Sequence, residues 1–193
     1  MQGRHPPIVE SLAPPDAQAP WRAQWPDESA TEAFAQRLAH GLVQWPGGSD
    51  AYLELRGSLG AGKTTLVRHL LRALGVSGRI KSPTYAVVEP HEAHPVDGAA
   101  WPVWHFDFYR FNDPEEWSDA GFRDVFAGPG LKLAEWPEQV AGLLPAADWV
   151  IHLEAEDESA RQVVIRPGTA RGGDWLARWR AAEGQNEGQD ARD

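Results

Sequence analysis

The sequence predicts an α/β fold with a mixed, mainly parallel central sheet, and three observations predict it. Short apolar runs with strand character alternate with amphipathic runs of helical period. The strand-like "AYLELR" passes through a glycine-rich turn directly into a helix. The later pair "DWVIHLE" and "RQVVIRP" reads as two antiparallel strands, which makes the sheet mixed.

The elements follow in order. Residues 1 to about 27 hold many of the 16 prolines, with "APPDAQAPWRAQWP" the densest part. Such a segment buries too little apolar surface to offset its ordering entropy, so a mobile tail over 1–27 is expected. "DESATEAFAQRLAHGL" opens with capping residues and puts Ala30, Phe34, Leu38 and Leu42 on one stripe of a helix. After "AYLELR", the residues Leu66, Val67, Leu70, Leu71 and Leu74 form the apolar face of a second helix, which Gly75 ends. "TYAVVE" and "VWHFDFY" read as strands, parted by a loop from Pro90 to Pro102. "DPEEWSDAGF" reads as a short helix with Asp113 as N-cap and Pro114 in its first turn. "LKLAE" is a strand, "PEQVAGLL" a helix, and the two antiparallel strands follow. Residues 28–167 therefore make one domain, and 168–193 a C-terminal extension, partly disordered, whose polar end from Glu183 to Asp193 is frayed.

Composition excludes several chemistries. There are no cysteines, so disulfides, thiolate nucleophiles and Cys-ligated zinc are ruled out. The net charge of −10 argues against free-standing nucleic-acid binding. No apolar run reaches the roughly 18 residues of a membrane span, and the N-terminus lacks the apolar core of a secretory signal, so a cytoplasmic protein is expected.

Gly57-Ser58-Leu59-Gly60-Ala61-Gly62-Lys63-Thr64 matches the phosphate-binding loop G-x-x-x-x-G-K-[ST], placed after a strand and before a helix as that motif requires. The glycines let successive N–H groups turn toward phosphate oxygens, and the helix adds its positive end. Lys63 brings a full charge to the β- and γ-phosphates, and the Thr64 hydroxyl is a Mg²⁺ ligand. The expected fold is thus a P-loop NTPase-like, three-layer arrangement. No Asn-Lys-x-Asp run for reading guanine occurs, which favours adenine by default.

Hydrolysis needs an acid near Mg²⁺ and a group that orients water. Two strands end in acids, "VWHFD" at Asp107 and "LKLAE" at Glu135, and strand ends in such sheets converge on the phosphate side. In "SPTY", Pro83 stiffens a turn from which the Thr84 hydroxyl can approach the γ-phosphate. His105 shares a strand face with Asp107 and is read as a structural hydrogen-bonding group rather than a metal ligand. His91 and His94 are read as loop residues. Most of the ten tryptophans belong to core or tail; Trp136, beside Glu135, is the exception.

The ordered set "GSLGAGKTT", "SPTYAVVEP", "HFDFYRFNDPEEWSDAG" and "LAEWPEQ" resembles the bacterial TsaE (YjeE) family, from about Pro26 to Ile165. The resemblance implies a small Mg²⁺-dependent ATPase that serves synthesis of threonylcarbamoyladenosine in tRNA, acting with the TsaD and TsaB proteins and meeting tRNA only through them. It implies that Thr64 and Glu135 hold Mg²⁺. Lys63 and the backbone of Gly60, Ala61, Gly62, Thr64 and Thr65 would hold the phosphates, while Asp107, Thr84 and Trp136 sit at positions needed for activity. By the same resemblance Glu28, in "PDESAT", lies near the base. Ser58 stands where the family usually has Asp, and the N-terminal tail has no counterpart there.

On this reading Asp107 or Thr84 orients water, Glu135 acts mainly through the metal, and ATP hydrolysis serves as a conformational switch. No arginine occupies an obvious finger position; Arg110, Arg123 and Arg161 are candidates by nearness to motifs. Feeble hydrolysis alone and stimulation by partners are therefore expected. A small-molecule kinase is the rival enzyme, though "FRDVFAGPG" is too poor in Arg and Lys for a basic lid. A nucleotide-gated binding module is the rival without useful turnover.

Overall fold

The computed structural model describes residues 19–96, 98–111, 117 and 120–190. Seven strands form one sheet: β1 (Trp21–Trp25), β2 (Tyr52–Arg56), β3 (Val88–Ala93), β4 (Trp101–Asp107), β5 (Leu131–Glu135), β6 (Trp149–Ala155) and β7 (Arg161–Pro167). Their spatial order is β1-β7-β6-β2-β5-β4-β3. The central strands β6, β2, β5 and β4 are mutually parallel, while β1–β7, β7–β6 and β4–β3 pair antiparallel. The expected mixed sheet with a parallel centre is what the chain forms.

Among the described residues four α-helices of defined extent accompany it: α1 (Glu28–Gln44), α2 (Lys63–Ala73), α3 (Phe122–Ala127) and α4 (Ala170–Asp190). Asp27 caps α1, its carboxylate accepting from the Ala30 N–H at 3.0 Å. Leu66, Val67, Leu70 and Leu71 turn the apolar stripe of α2 into the core, and Gly75 leaves the helix at φ +81°.

Strand alternation sorts the core into two layers. Leu53, Leu55, Leu131, Leu133 and Val103 point to the face covered by α1, α2 and α4. Tyr52, Ala134 and Phe106 point to the opposite face, where they meet Phe122 of α3, Phe108 and Trp117. Central strands buried on both faces explain the near-continuous apolar character of "AYLEL" and "LKLA".

The structure departs from the sequence expectations at several places. β1 lies inside the segment expected to be a mobile tail: Trp21 and Trp25 pack against Phe34, and Trp21–Trp25 pairs along β7. The segment 1–18 lies outside the described residues. The C-terminal extension carries α4, which buries Trp175, Leu176 and Trp179 in the main core. β3 and β4 run further into the stretch from Pro90 to Pro102 than a loop allows, so His91 is a strand residue; Thr84–Ala86 is turn, not strand. "PEQVAGLL" contributes only a 3-10 turn, Pro137–Val140. The short helix expected at Asp113 and Pro114 lies outside the described residues. Among the described residues no helix is long and apolar enough to cross a membrane.

Candidate functional site

The loop between β2 and α2 is shaped by glycine. Gly57, Gly60 and Gly62 have φ of +138°, +81° and +100°, in the region side chains disfavour. At Gly57 a Cβ would lie 2.1 Å from the Leu153 carbonyl oxygen, so only glycine lets the loop pass β6. At Gly60 a Cβ would meet nothing within 4 Å. The loop thus has its back against the sheet and an open front.

That front is one wall of a cleft of about 330 Å³ that also takes in Ser82, Thr84, Asp107, Tyr109, Glu135 and Trp136. Register explains how the two acids arrive there. β4 and β5 are parallel and pair Val103 with Leu131, His105 with Leu133, and Asp107 with Glu135. Residues two apart share a face, so both carboxylates end their strands on the α2 side, at the helix N-terminus. The structure brings Lys63, Thr64, Thr84, Asp107 and Glu135 into this one cleft.

Each polar group is held. The Thr64 hydroxyl donates to Glu135 Oε2 at 2.8 Å. His105, fully buried, lies 2.9 Å from Glu135 Oε1 through Nε2. A carboxylate only accepts, so Nε2 carries the proton and Glu135 is fixed from both sides. This is the structural hydrogen bond expected of His105. On Asp107, Oδ2 accepts from Thr84 Oγ1 at 2.7 Å and from the Ser82 hydroxyl, while Oδ1 accepts the Tyr109 N–H at 3.0 Å.

Lys63 donates to the Gly57 and Ser58 carbonyls at 2.7 and 2.9 Å and sits 3.8 Å above the centre of the Trp136 ring. Trp136 reaches that place from a left-handed backbone, φ +58°, the turn that follows Glu135. Burial pushes the Lys63 ammonium below its ordinary value, while Glu135, Glu138 and Asp107 pull the other way.

Gly62 and Thr65 also line a second cleft, of about 270 Å³, on the other side of the loop. Glu28 stands there, 2.8 Å from His69 Nε2, and Ala61 faces it. Arg161 lies in this second cleft, donating from Nε to the Ala61 carbonyl at 3.1 Å. Arg110 stacks on Tyr85 and Arg123 is exposed on α3; neither lines either cleft. Sequence reasoning assigns no role to Ser82, Tyr109 or Glu138. Only Ser82 carries a sequence signal, its place inside "SPTY".

The residues present fit a nucleotide and its metal ion. An open glycine cradle, one buried lysine and a hydroxyl–carboxylate pair are the donor set that phosphates with Mg²⁺ require.

The sheet and the helices packed on it define a mixed α/β chain with the P-loop NTPase-like fold that the sequence predicts. Residues 25–163 match the family model described as threonylcarbamoyl adenosine biosynthesis protein TsaE. The tRNA threonylcarbamoyladenosine biosynthesis protein TsaE of Haemophilus influenzae is 38% identical over 134 residues, 69% of this chain and 82% of that protein. The protein of the same name from Bacillus subtilis is 32% identical over 148 residues, 77% of this chain and 85% of that one. The crystal structure of Bacillus subtilis YdiB superposes with a TM-score of 0.63 at 24% identity, covering 86% of this chain and 97% of that one. The chain belongs to the TsaE family, as its motifs led one to expect.

Proposed function

We propose that the chain binds Mg²⁺-ATP in the cleft formed by the glycine loop and hydrolyses it as a conformational switch on a TsaB–TsaD complex, in the threonylcarbamoyladenosine modification of tRNA. The observation that carries this is the convergence of Lys63, Thr64, Thr84, Asp107 and Glu135 on one glycine-walled cleft. The backbone of Gly60, Ala61, Gly62, Lys63, Thr64 and Thr65 would bind the phosphates, Lys63 would neutralise charge on the β- and γ-oxygens, and Glu28 would lie toward the base.

Thr64 and Glu135 would hold Mg²⁺, which when bound supplies positive charge to the phosphate oxygens. Asp107 and Thr84, already joined by a hydrogen bond, would orient the attacking water as a unit, with Ser82 fixing the carboxylate. His105 keeps Glu135 in place. Among the described residues Lys63 is the one cation lining the cleft, so the site lacks a second positive group for developing charge. Slow turnover alone, and stimulation by a partner that supplies or positions such a group, follow.

The test is steady-state ATP turnover by the full chain, alone and with TsaB and TsaD. Slow hydrolysis that rises with the partners and disappears in Lys63→Ala is expected. Tight ATP binding without turnover in either condition would favour a nucleotide-gated binding module, and turnover indifferent to the partners would reject the switch.

A further inference from the structure

Helix α2 carries Thr64, Arg68 and Arg72 at four-residue spacing, so they form one stripe leading away from the phosphate cleft. The chain after α2 turns back along this stripe and brings Arg79 and Lys81 into the same groove. The groove is about 580 Å³, and its lining is completed by Thr64, Ser82 and a single apolar residue, Ile80, which is buried.

Four cations thus share one groove on a chain with 18 basic and 28 acidic residues. Among the described residues none of the four makes an ion pair or hydrogen bond through its side chain. A solvated helix end accounts for Arg72, which lies in the last turn of α2 and complements the helix dipole. It does not account for Arg79 and Lys81, which belong to a different segment and add like charge to the same place.

The composition of the groove selects its ligand. Protein interfaces are centred on apolar and aromatic anchors packed in desolvated pockets, and where Arg joins them it stands among such anchors. Here the one apolar side chain is buried and the rest is cationic or hydroxylic, so no apolar or aromatic anchor is offered. The groove is also larger than the neighbouring cleft, about 580 against 330 Å³, which suits an extended anion better than one phosphate ion. Arg and Lys with hydroxyl neighbours are the side chains that contact a nucleic-acid backbone. The family model concerns biosynthesis of a modified adenosine, and the relatives are named for its place in tRNA.

We propose that this groove binds the phosphate backbone of RNA directly, giving the chain an RNA-binding surface of its own beside the nucleotide cleft. The net charge of −10 does not prevent this. At about 0.1 M salt the screening length is about 10 Å, so a backbone seated in the groove responds to the four cations beside it rather than to distant carboxylates. The proposal requires no ATP hydrolysis and survives if the switch reading fails.

The experiment is fluorescence anisotropy of a labelled tRNA anticodon stem-loop titrated with the full chain between about 50 and 200 mM salt. Binding that weakens with salt is expected. Arg68→Gln with Arg72→Gln, and separately Arg79→Gln with Lys81→Gln, should each lower affinity. Each pair should also flatten the slope of log affinity against log salt, by about 0.7–0.9 for every phosphate left without its cation. The pair Arg68→Lys with Arg72→Lys should retain most of the binding, because holding a phosphate needs the charge. Arg123→Gln, exposed on α3, should change nothing. ATP affinity, measured in parallel, should be unaltered in all of these variants, which also shows that they fold. Absence of RNA binding at the lowest salt, or binding indifferent to both groove pairs, overturns the proposal. So does a groove that takes inorganic phosphate but not RNA, or groove variants that lose a protein partner while keeping RNA.

Discussion

Asp107 receives three hydrogen bonds from its own chain, two from the hydroxyls of Ser82 and Thr84 and one from the Tyr109 N–H. Such a carboxylate has little freedom, and the two hydroxyls inherit that rigidity. Removing one donor to a charged acceptor costs about 1.5–3 kcal/mol of interaction, roughly a ten- to hundredfold change if it is expressed in the transition state. Ser82→Ala is therefore expected to lower kcat by that factor with ATP affinity nearly unchanged, read by turnover and by equilibrium titration of ATP. An equal loss of affinity would show that Ser82 serves binding instead. The candidacy of Lys63, Thr64, Asp107 and Glu135 was legible in the sequence because contiguous spacing and strand ends mark them. Ser82 was not, because its role exists only through a hydrogen bond to a residue 25 positions away.

At the scale of elements, α4 shows why a helix can escape sequence reading. "ARGGDWLARWR" has two glycines in its first turn, which read as a break. In the fold Gly172 permits a close approach: a Cβ there would lie 1.9 Å from the Asp148 carbonyl oxygen. Buried Asp148 accepts from Thr169 Oγ1 at 2.6 Å, from Arg171 Nε at 3.0 Å and from the Tyr52 N–H at 3.0 Å, tying the start of α4 to β2 and β6. Trp149 Nε1 donates to the Gly172 carbonyl at 2.8 Å, and Trp175 stacks on Trp45 with ring centres 5.6 Å apart. Trp175→Ala should cost about 3–5 kcal/mol, seen as a lower urea midpoint. Since among the described residues none of α4 lines the glycine-loop cleft, the folded fraction of that variant should bind ATP as before. β1 escaped for a similar reason: a proline-rich neighbourhood hid a strand whose ladder partner, β7, lies about 140 residues later.

For the whole molecule, binding of any ligand to the native state and stability are linked. A ligand at a hundred times its Kd stabilises the native state by about 2.7 kcal/mol, which for a chain of this size raises Tm by about 5–10 °C. Mg²⁺-ATP should produce such a shift, measured by differential scanning fluorimetry, and Lys63→Ala should not. No shift in the unaltered chain would reject nucleotide binding itself, not merely turnover. What the sequence alone determined was the α/β class, the glycine-rich loop between a strand and a helix, the chain positions of the two strand-end acids and the family likeness, all of which rest on contiguous motifs and local periodicity. Only the tertiary structure decided that Asp107 and Glu135 lie in register, that Ser82 holds Asp107, and that β1 and α4 complete the fold. It also decided that Arg68, Arg72, Arg79 and Lys81 share a groove on an acidic chain. These depend on meetings between distant parts of the chain, such as the 71-residue separation of Thr64 and Glu135, and no local pattern encodes which distant partners will meet.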